Sequence, residues 1–364
     1  MEDDVIKTQL GFWLNRTAPE TSIRELPDKL IAIGSDVGIN RLENQDRAVV
    51  LRAQVTKNRY FYVGVLCDGM GGMESGSDCA TLAVTSFLAS CLLNRTLKPS
   101  ARLEKAVLDA NKDVYSKYNG SGGSTLSAFI VDSDGSFEAV NVGDSRIYLS
   151  DGVELRQMTV DDTLAGQLKR SGHGYADNKL LQFVGMGNEI EPHLLELPDP
   201  LGMKRMILTT DGIHYLPEEV LKGILLQDET AYELAERYIK TARWCSGHDN
   251  GSIIILNDLA DIISQKEGGL EENADMPSGT VQFWDCNGDV QFIGVKLKST
   301  IEDNFPSSTS PKKVDMIHDI VGSEDKKEQS HADSVIEEKN LKKTKAINKK
   351  DKKPQLRIDF DERE

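Results

Sequence analysis

Four aspartates, Asp46 in NQD, Asp68 in CDG, Asp211 in TDG and Asp249 in HDN, each stand where an apolar, β-rich run starts or stops. One carboxylate at a strand end is ordinarily a turn or cap residue. Four of them, arriving from distant segments, can line one edge of stacked sheets, where like charges raise one another's pKa unless a cation neutralises them. Hard carboxylate oxygens without His/Cys pairs nearby suit Mg2+ or Mn2+ rather than zinc. Two such ions about 3.5 to 4 Å apart can activate a bridging water and stabilise an in-line displacement at phosphorus. Arg41, upstream of Asp46 on the same segment, has the planar fork that grips a phosphate through two parallel bonds. The stretch from Val65 to Gly76 shows the pattern most fully. An apolar run ends at Asp68 and gives way to Gly69, Gly71 and Gly72, whose tolerance of positive φ lets the backbone turn and bring carbonyl oxygens beside the acid.

The elements that must carry these residues are legible from period and punctuation. Strand-like runs at 30–38, 47–51 and 59–66 lead into Asp68. Apolar residues at helical spacing follow over 79–93 (Leu82, Val84, Phe87, Leu88, Cys91, Leu92) and over 103–118 (Leu103, Val107, Leu108, Ala110, Val114). The runs STLSAFIV, SFEAVNV, SRIYLS and VELRQMT then read as a tight antiparallel meander, because connections as brief as DSDG, GD and DG leave no room for a parallel crossover. Residues 162–188 loosen into an irregular segment. Strands are expected at 189–197 and 205–210, helices at 218–226 and 231–244, and a last buried strand at 252–256. Strands, two helices, strands, helices, strand is the order of an α+β fold, with antiparallel sheets layered between helices.

Around this main body, 29–257, the chain divides by composition. Residues 1–28 read as a lead-in whose Phe12, Trp13 and Leu14 form an apolar knot packed on the domain. A polar acidic linker, 258–278, precedes a β-hairpin extension at 279–300, split by Asn287-Gly288. Its DCNGD turn lacks the twelfth-position glutamate of a calcium loop. Residues 301–364 are charged and poor in apolar side chains, a tail expected to be disordered.

Charge excludes some partners. The net charge is −16, and because residues 301–364 hold 14 Lys/Arg and 15 Asp/Glu, residues 1–300 carry −15 of it. An acidic body repels nucleic acid and anionic membrane and attracts metal cations. The segment Lys339–Lys353, with eight lysines and one acid, is the exception, either a solvated tail or a tether for an acidic partner. Five widely spaced cysteines without a CxxC pair read as reduced thiols, not as a disulfide framework or zinc site. With no signal-peptide pattern at the acidic start and no run of 18 apolar residues, a cytoplasmic protein without a membrane span is expected.

In series, RLENQD (41–46), VLCDGMGGM (65–73), GSTL (123–126), NVGDSRIYL (141–149), LTTDGI (208–213) and HDNG (248–251) resemble the metal-dependent protein phosphatase family of type 2C, in its bacterial form. The resemblance covers roughly Ala32 to Leu256. It implies a four-layer α-β-β-α sandwich of two antiparallel sheets flanked by helices. It also implies hydrolysis of phosphoserine and phosphothreonine in proteins by direct attack of water bridging two Mg2+ or Mn2+ ions, opposing a Ser/Thr kinase. By the same resemblance, Asp68 bridges both metals, the Gly69 carbonyl contacts the second, and Asp211 with Asp249 hold the first. Asp46 orients a metal-bound water, Arg41 binds the substrate phosphate, and Asp144 of GDSR is available to a third ion. Residues 163–188 form the variable flap.

The chain also departs from the family. Gln45 stands where many relatives have glutamate, and Tyr215 where they often have an acid that serves the third metal. Met70 and Met73 occupy places where a histidine proposed to protonate the leaving oxygen is often found. No general acid is assigned, and His248, just before Asp249, and His173, in the flap, are the two candidates to approach the leaving group. Two other readings use the same residues: a catalytically weak binding or regulatory module on the phosphatase fold, distinguished by loss of a metal aspartate, and a phosphohydrolase acting on small phosphorylated molecules.

Overall fold

The computed structural model describes residues 2–16, 19–56, 59–70, 75–171, 179–188, 190–245, 247–264, 280–293 and 355–359. One sheet contains β1 (Thr21–Glu25), β2 (Ile31–Asp36), β7 (Arg146–Ser150), β8 (Leu155–Gln157), β10 (Arg205–Thr209) and β11 (Gly251–Asn257), in the order β1-β2-β11-β10-β7-β8. The other contains β3 (Arg47–Thr56), β4 (Arg59–Cys67), β5 (Leu126–Asp132), β6 (Phe137–Val142), β9 (His193–Leu195), β12 (Val281–Asp285), β13 (Gly288–Ile293) and β14 (Gln355–Asp359). Its order is β14-β13-β12-β3-β4-β5-β6-β9. Every pairing is antiparallel except β13 with β14.

Side-chain alternation sorts the strands into four layers. On β3, Val49 and Leu51 face α1 (Glu2–Leu14), α2 (Gly76–Leu93) and α3 (Pro99–Tyr118), while Ala48 and Val50 face the second sheet. On β11, Ile254 and Leu256 join that inter-sheet core, and Ile253 and Ile255 meet the side chains of α6 (Glu218–Leu225) and α7 (Ala231–Cys245). Burial on both faces is why SIIIL is continuously apolar instead of alternating. Gly64, mid-β4, is required by packing: a Cβ there would come within 2.0 Å of the Phe129 ring in the inter-sheet core. By length and composition α2 could cross a membrane, but it is a core helix, buried between α1, α3 and the sheet.

Several expectations are corrected. The lead-in is the helix α1 followed by the edge strand β1. Ile6, Leu10, Trp13 and Leu14 are buried on one face of that helix, whereas Phe12, expected in the knot, lies on the other and is exposed. The meander is two hairpins in different sheets: β5 pairs with β6, β7 pairs with β8, and β6 does not pair with β7. The Gly143-Asp144-Ser145 connection crosses from one sheet to the other, with Gly143 at φ +99° where a Cβ would strike Thr125. Of the strand expected at 189–197, only His193–Leu195 pairs among the described residues, on the sheet edge between Pro192 and Pro198, which cannot donate to a ladder. The irregular segment 162–188 contains α4 (Leu164–Ser171), and the linker begins as α8 (Leu259–Ser264), whose Leu259 and Ile262 enter the inter-sheet core. The expected hairpin forms and extends the main sheet, because β12 pairs with β3. Within the charged tail, Gln355–Asp359 is a strand on β13; the lysine-rich segment lies outside the described residues.

Candidate active site

Strand register gathers the acids. Arg47 opens β3 opposite Cys67, the last residue of β4, so Asp46 and Asp68 leave the same end of one sheet. In the other sheet Thr209 faces Ile253, which places Asp211, the first residue of the one-turn α5 (Asp211–His214), beside the Asp249-Asn250 turn. The two ends are tied directly: Thr210 Oγ1 donates to Asp46 Oδ2 at 2.9 Å and accepts from the Ser252 amide at 2.8 Å.

The loops between are pinned by side chains adjacent to the aspartates. Asn250 Oδ1 accepts from the Gln45 amide (2.9 Å), and its Nδ2 donates to the carbonyls of Val37 (2.7 Å) and Glu43 (2.9 Å). Asn44 Oδ1 accepts from the Asp46 amide at 3.0 Å. The Asp68 amide donates to Thr125 Oγ1 at 2.9 Å, and its carbonyl accepts from Ser124 Oγ at 2.8 Å. Gly69 is enclosed so tightly that a Cβ would lie 2.2 Å from the Gly76 carbonyl oxygen and 2.8 Å from that of Gln45. Only glycine fits, and the reason is this close approach of backbone to backbone, not a positive φ.

The electrostatics are those of carboxylates short of cations. Burial foremost, opposed by the Ser252 and Thr210 hydroxyls and reinforced by Asp211 and Asp249, pushes Asp46 up to about 7. Asp68 keeps some exposure, yet is set deep enough that burial, then the charges of Asp46, Asp211, Asp144 and Asp249, hold it well above the usual carboxylate range. Burial followed by Asp249 raises Asp211. Asp144, on the crossing between sheets, is pushed up to about 6 by burial and by Asp211 and Asp161. Asp46 Oδ1 and Asp211 Oδ1 are buried without a hydrogen-bond partner. Arg41 supplies one cation: its Nη2 donates to Asp249 Oδ2 at 2.6 Å, and that bond, before any other influence, raises its own pKa.

With that geometry in hand, the comparison with known families is decisive: the sequence profile described as protein phosphatase 2C matches residues 34–249. The chain belongs to the protein phosphatase 2C family. The serine/threonine phosphatase stp of Listeria monocytogenes is 27% identical over 242 residues, covering 61% of this chain and 93% of the relative. Protein phosphatase PhpP of Streptococcus pneumoniae is 26% identical over 250 residues, covering 62% and 96%. Among solved structures, the serine/threonine phosphatase PstP/Ppp of Mycobacterium tuberculosis aligns with a TM-score of 0.51 at 26% identity, covering 65% of this chain and 98% of that one. Stp1 of Staphylococcus aureus aligns with a TM-score of 0.56 at 22% identity, covering 67% and 98%, and bears on the fold alone.

Within this protein phosphatase 2C site, Asp46, Asp68, Asp144, Asp211 and Asp249 act on one another electrically, with Arg41 among them. Among the described residues no three His, Cys, Asp or Glu side chains already close around one ion-sized point. What suits a hard divalent cation is the donor set itself, all oxygen, partly orphaned and mutually repelling. Gln45 bonds Glu43 at 2.8 Å through its side chain. Tyr215 is held by a hydroxyl bond to the Ala242 carbonyl and lies edge-on to His248, ring centroids 4.7 Å apart. His248 is exposed and near enough for its charge to oppose the rise at Asp211. The Met70 amide donates to the Gly123 carbonyl at 3.1 Å, while Met73 and His173 lie outside the described residues. Thr210, Ser252, Asn250 and Thr125 were not singled out from sequence. Thr210, Asn250 and Thr125 carried only the signal of being hydroxyl or amide residues within the aspartate motifs or the GSTL block, and Ser252 that of opening the SIIIL run just after HDNG.

Proposed function

We propose that this chain is a metal-dependent protein serine/threonine phosphatase, which hydrolyses phosphoserine and phosphothreonine in proteins and opposes a Ser/Thr kinase. The observation that carries the reading is the convergence of Asp46, Asp68, Asp211 and Asp249 from both sheets, with Asp46 Oδ1 and Asp211 Oδ1 buried and unpartnered. Mg2+ or Mn2+ would be held by Asp68, the Gly69 carbonyl, Asp211 and Asp249, with Asp144 available to a third ion. When bound, the ions supply charge neutralisation and an activated water for in-line attack at phosphorus.

The chain's own residues do the rest. Arg41, now paired with Asp249, has the fork to take two phosphate oxygens and align the phosphoryl group. Asp46, oriented by Thr210, keeps an oxygen free to hold the attacking water by its proton. The Ser124 and Thr125 bonds to Asp68 keep the central carboxylate and the Gly69 carbonyl in register. Support also comes from the named activities of the Listeria and Streptococcus relatives, which span almost their full lengths in the alignment.

The test is turnover of a phosphothreonine peptide by the full chain with Mn2+, then with a chelator, beside Asp68→Asn and Asp249→Asn. Activity should require the metal and fall in both variants. Metal-independent turnover, or full activity in either variant, would overturn the reading.

A further inference from the structure

Arg41 is carried by residues 37–46, which belong to no strand or helix, so its place depends on the bonds that pin this segment. The first of them starts at Asp36, the last residue of β2, which is buried. Its Oδ1 accepts from the Gly38 amide at 2.7 Å, and Thr21 Oγ1 donates to its Oδ2. Arg243 meets the charge: its Nη1 lies 3.1 and 3.0 Å from the two carboxylate oxygens, and its Nη2 donates to Glu20 Oε2 at 3.2 Å. Arg243 stands in the last turn of α7, and the Gly247 amide closes the turn that follows onto the Ala242 carbonyl at 3.0 Å, two residues before Asp249. One guanidinium therefore ties the start of the Arg41 segment to the helix end that leads into Asp249. The two segments also touch directly. Gly38, at φ +81°, packs so closely that a Cβ would come within 2.3 Å of the Asp249 carbonyl oxygen. The Ile39 amide donates to the Gly247 carbonyl at 2.6 Å, and Asn250 Nδ2 to the Val37 carbonyl at 2.7 Å. Glu20 and Thr21 lie ahead of residues 34–249, the stretch that the family profile matches.

We infer that Arg243 is a positioning residue for the substrate phosphate: through Asp36 it holds Arg41 at the separation from Asp249 at which the Arg41 fork can grip a phosphate beside the carboxylates. This deepens the phosphatase reading and rests on it. Arg243 bonds Asp36 and Glu20 and acts on the phosphate only through Arg41. Without it the Asp36 charge is left buried and short of a cation. The carboxylate then turns toward water, Gly38 loses its acceptor, and the fork of Arg41 is no longer aimed. A misplacement of about 1 Å can cost on the order of a hundredfold. With the Ile39 and Val37 bonds still in place, the loss is smaller.

The test measures, for the full chain with Mn2+, the KM of a phosphothreonine peptide and the inhibition constant of inorganic phosphate. In Arg243→Gln both should rise about tenfold while kcat stays within about threefold, the pattern of lost phosphate binding. Arg243→Lys, which returns a cation without the fork, should recover most of the loss and leave about threefold. In an Arg41→Ala background, adding Arg243→Gln should move neither constant further, because the residue through which it acts is gone. If Arg243→Gln does not fold, the threefold effect of Arg243→Lys is followed through the same cycle. Constants unchanged in Arg243→Gln, or a loss that adds in full to that of Arg41→Ala, overturn the positioning role; the second result would make Arg243 a support of the fold at large. Absence of metal-dependent turnover by the wild type overturns the phosphatase reading and this one with it, whereas turnover with unaltered constants in Arg243→Gln overturns the positioning role alone.

Discussion

The two ends of the eight-stranded sheet hold carboxylates in opposite company. Where β3 begins and β4 ends, Asp46 and Asp68 face Asp211 and Asp249 with Arg41 as the one described guanidinium on a carboxylate of the group, and the acids are pushed upward. At the far end Asp132, fully buried opposite Phe61, receives two bonds from Arg59 at 2.8 Å and lies 3.9 Å from Nη2 of Arg102. Arg102 in turn covers the Phe61 ring at 4.7 Å. Neighbouring Asp134 is lowered: burial pulls it up, but bonds from Ser136 and the charges of Arg59 and Arg102 outweigh it. Both ends bury charge; only one balances it internally. A buried carboxylate with its arginine is a structural joint, and a group of them without enough cations is a site awaiting one.

The contrast breaks most visibly through substitution at each end. Asp68→Asn should lower metal-dependent kcat/KM by at least on the order of a thousandfold, measured on a phosphothreonine peptide. The same change should leave the metal-free protein as stable or more stable in urea melts, because it removes a repelled charge. Asp132→Ala should do the reverse. It leaves the buried Arg102 without its carboxylate, while Arg59 keeps its pair with Asp134, and should cost about 3 to 5 kcal/mol of stability, with activity retained at temperatures where the variant stays folded.

Metal addition sharpens the difference. Mn2+ at a hundred times its dissociation constant should stabilise the wild type and Asp132→Ala alike, by about 2.7 kcal/mol. Thermal melts of Asp68→Asn should show little of that gain.

The smallest effect concerns His214, buried behind Asp211 with its Nδ1 3.0 Å from Thr209 Oγ1. Burial first, and then Arg146, hold its pKa well below the ordinary histidine value. The unfolded chain binds a proton below about pH 6.5 that the folded one refuses. His214 therefore withdraws stability as pH falls, by up to about 1.4 kcal/mol per pH unit. Between pH 7 and 5 the urea midpoint of His214→Leu should gain on that of the wild type as pH falls.

Sequence alone picked out the candidate carboxylates and the layered α+β order. Asp46, Asp68, Asp211 and Asp249 each sit at the junction of an apolar run and a turn, which is local information, and the 3.6- and 2-residue periods of the segments between them are equally local. Glycine at 69 was legible as a turn residue beside the acid, whereas the Gly76 and Gln45 carbonyls that enclose it were not. What the tertiary structure decided was pairing. Whether GD at 143–144 closes a hairpin or carries the chain to the other sheet depends on which strands lie beside β6 and β7, and both connections look alike over two residues. The role of Thr210 depends on Asp46, 164 positions away, and the attachment of the 281–293 hairpin depends on β3, more than 200 positions away. Such contacts are specified by complementary buried faces across the whole core, and no window of the chain contains both partners.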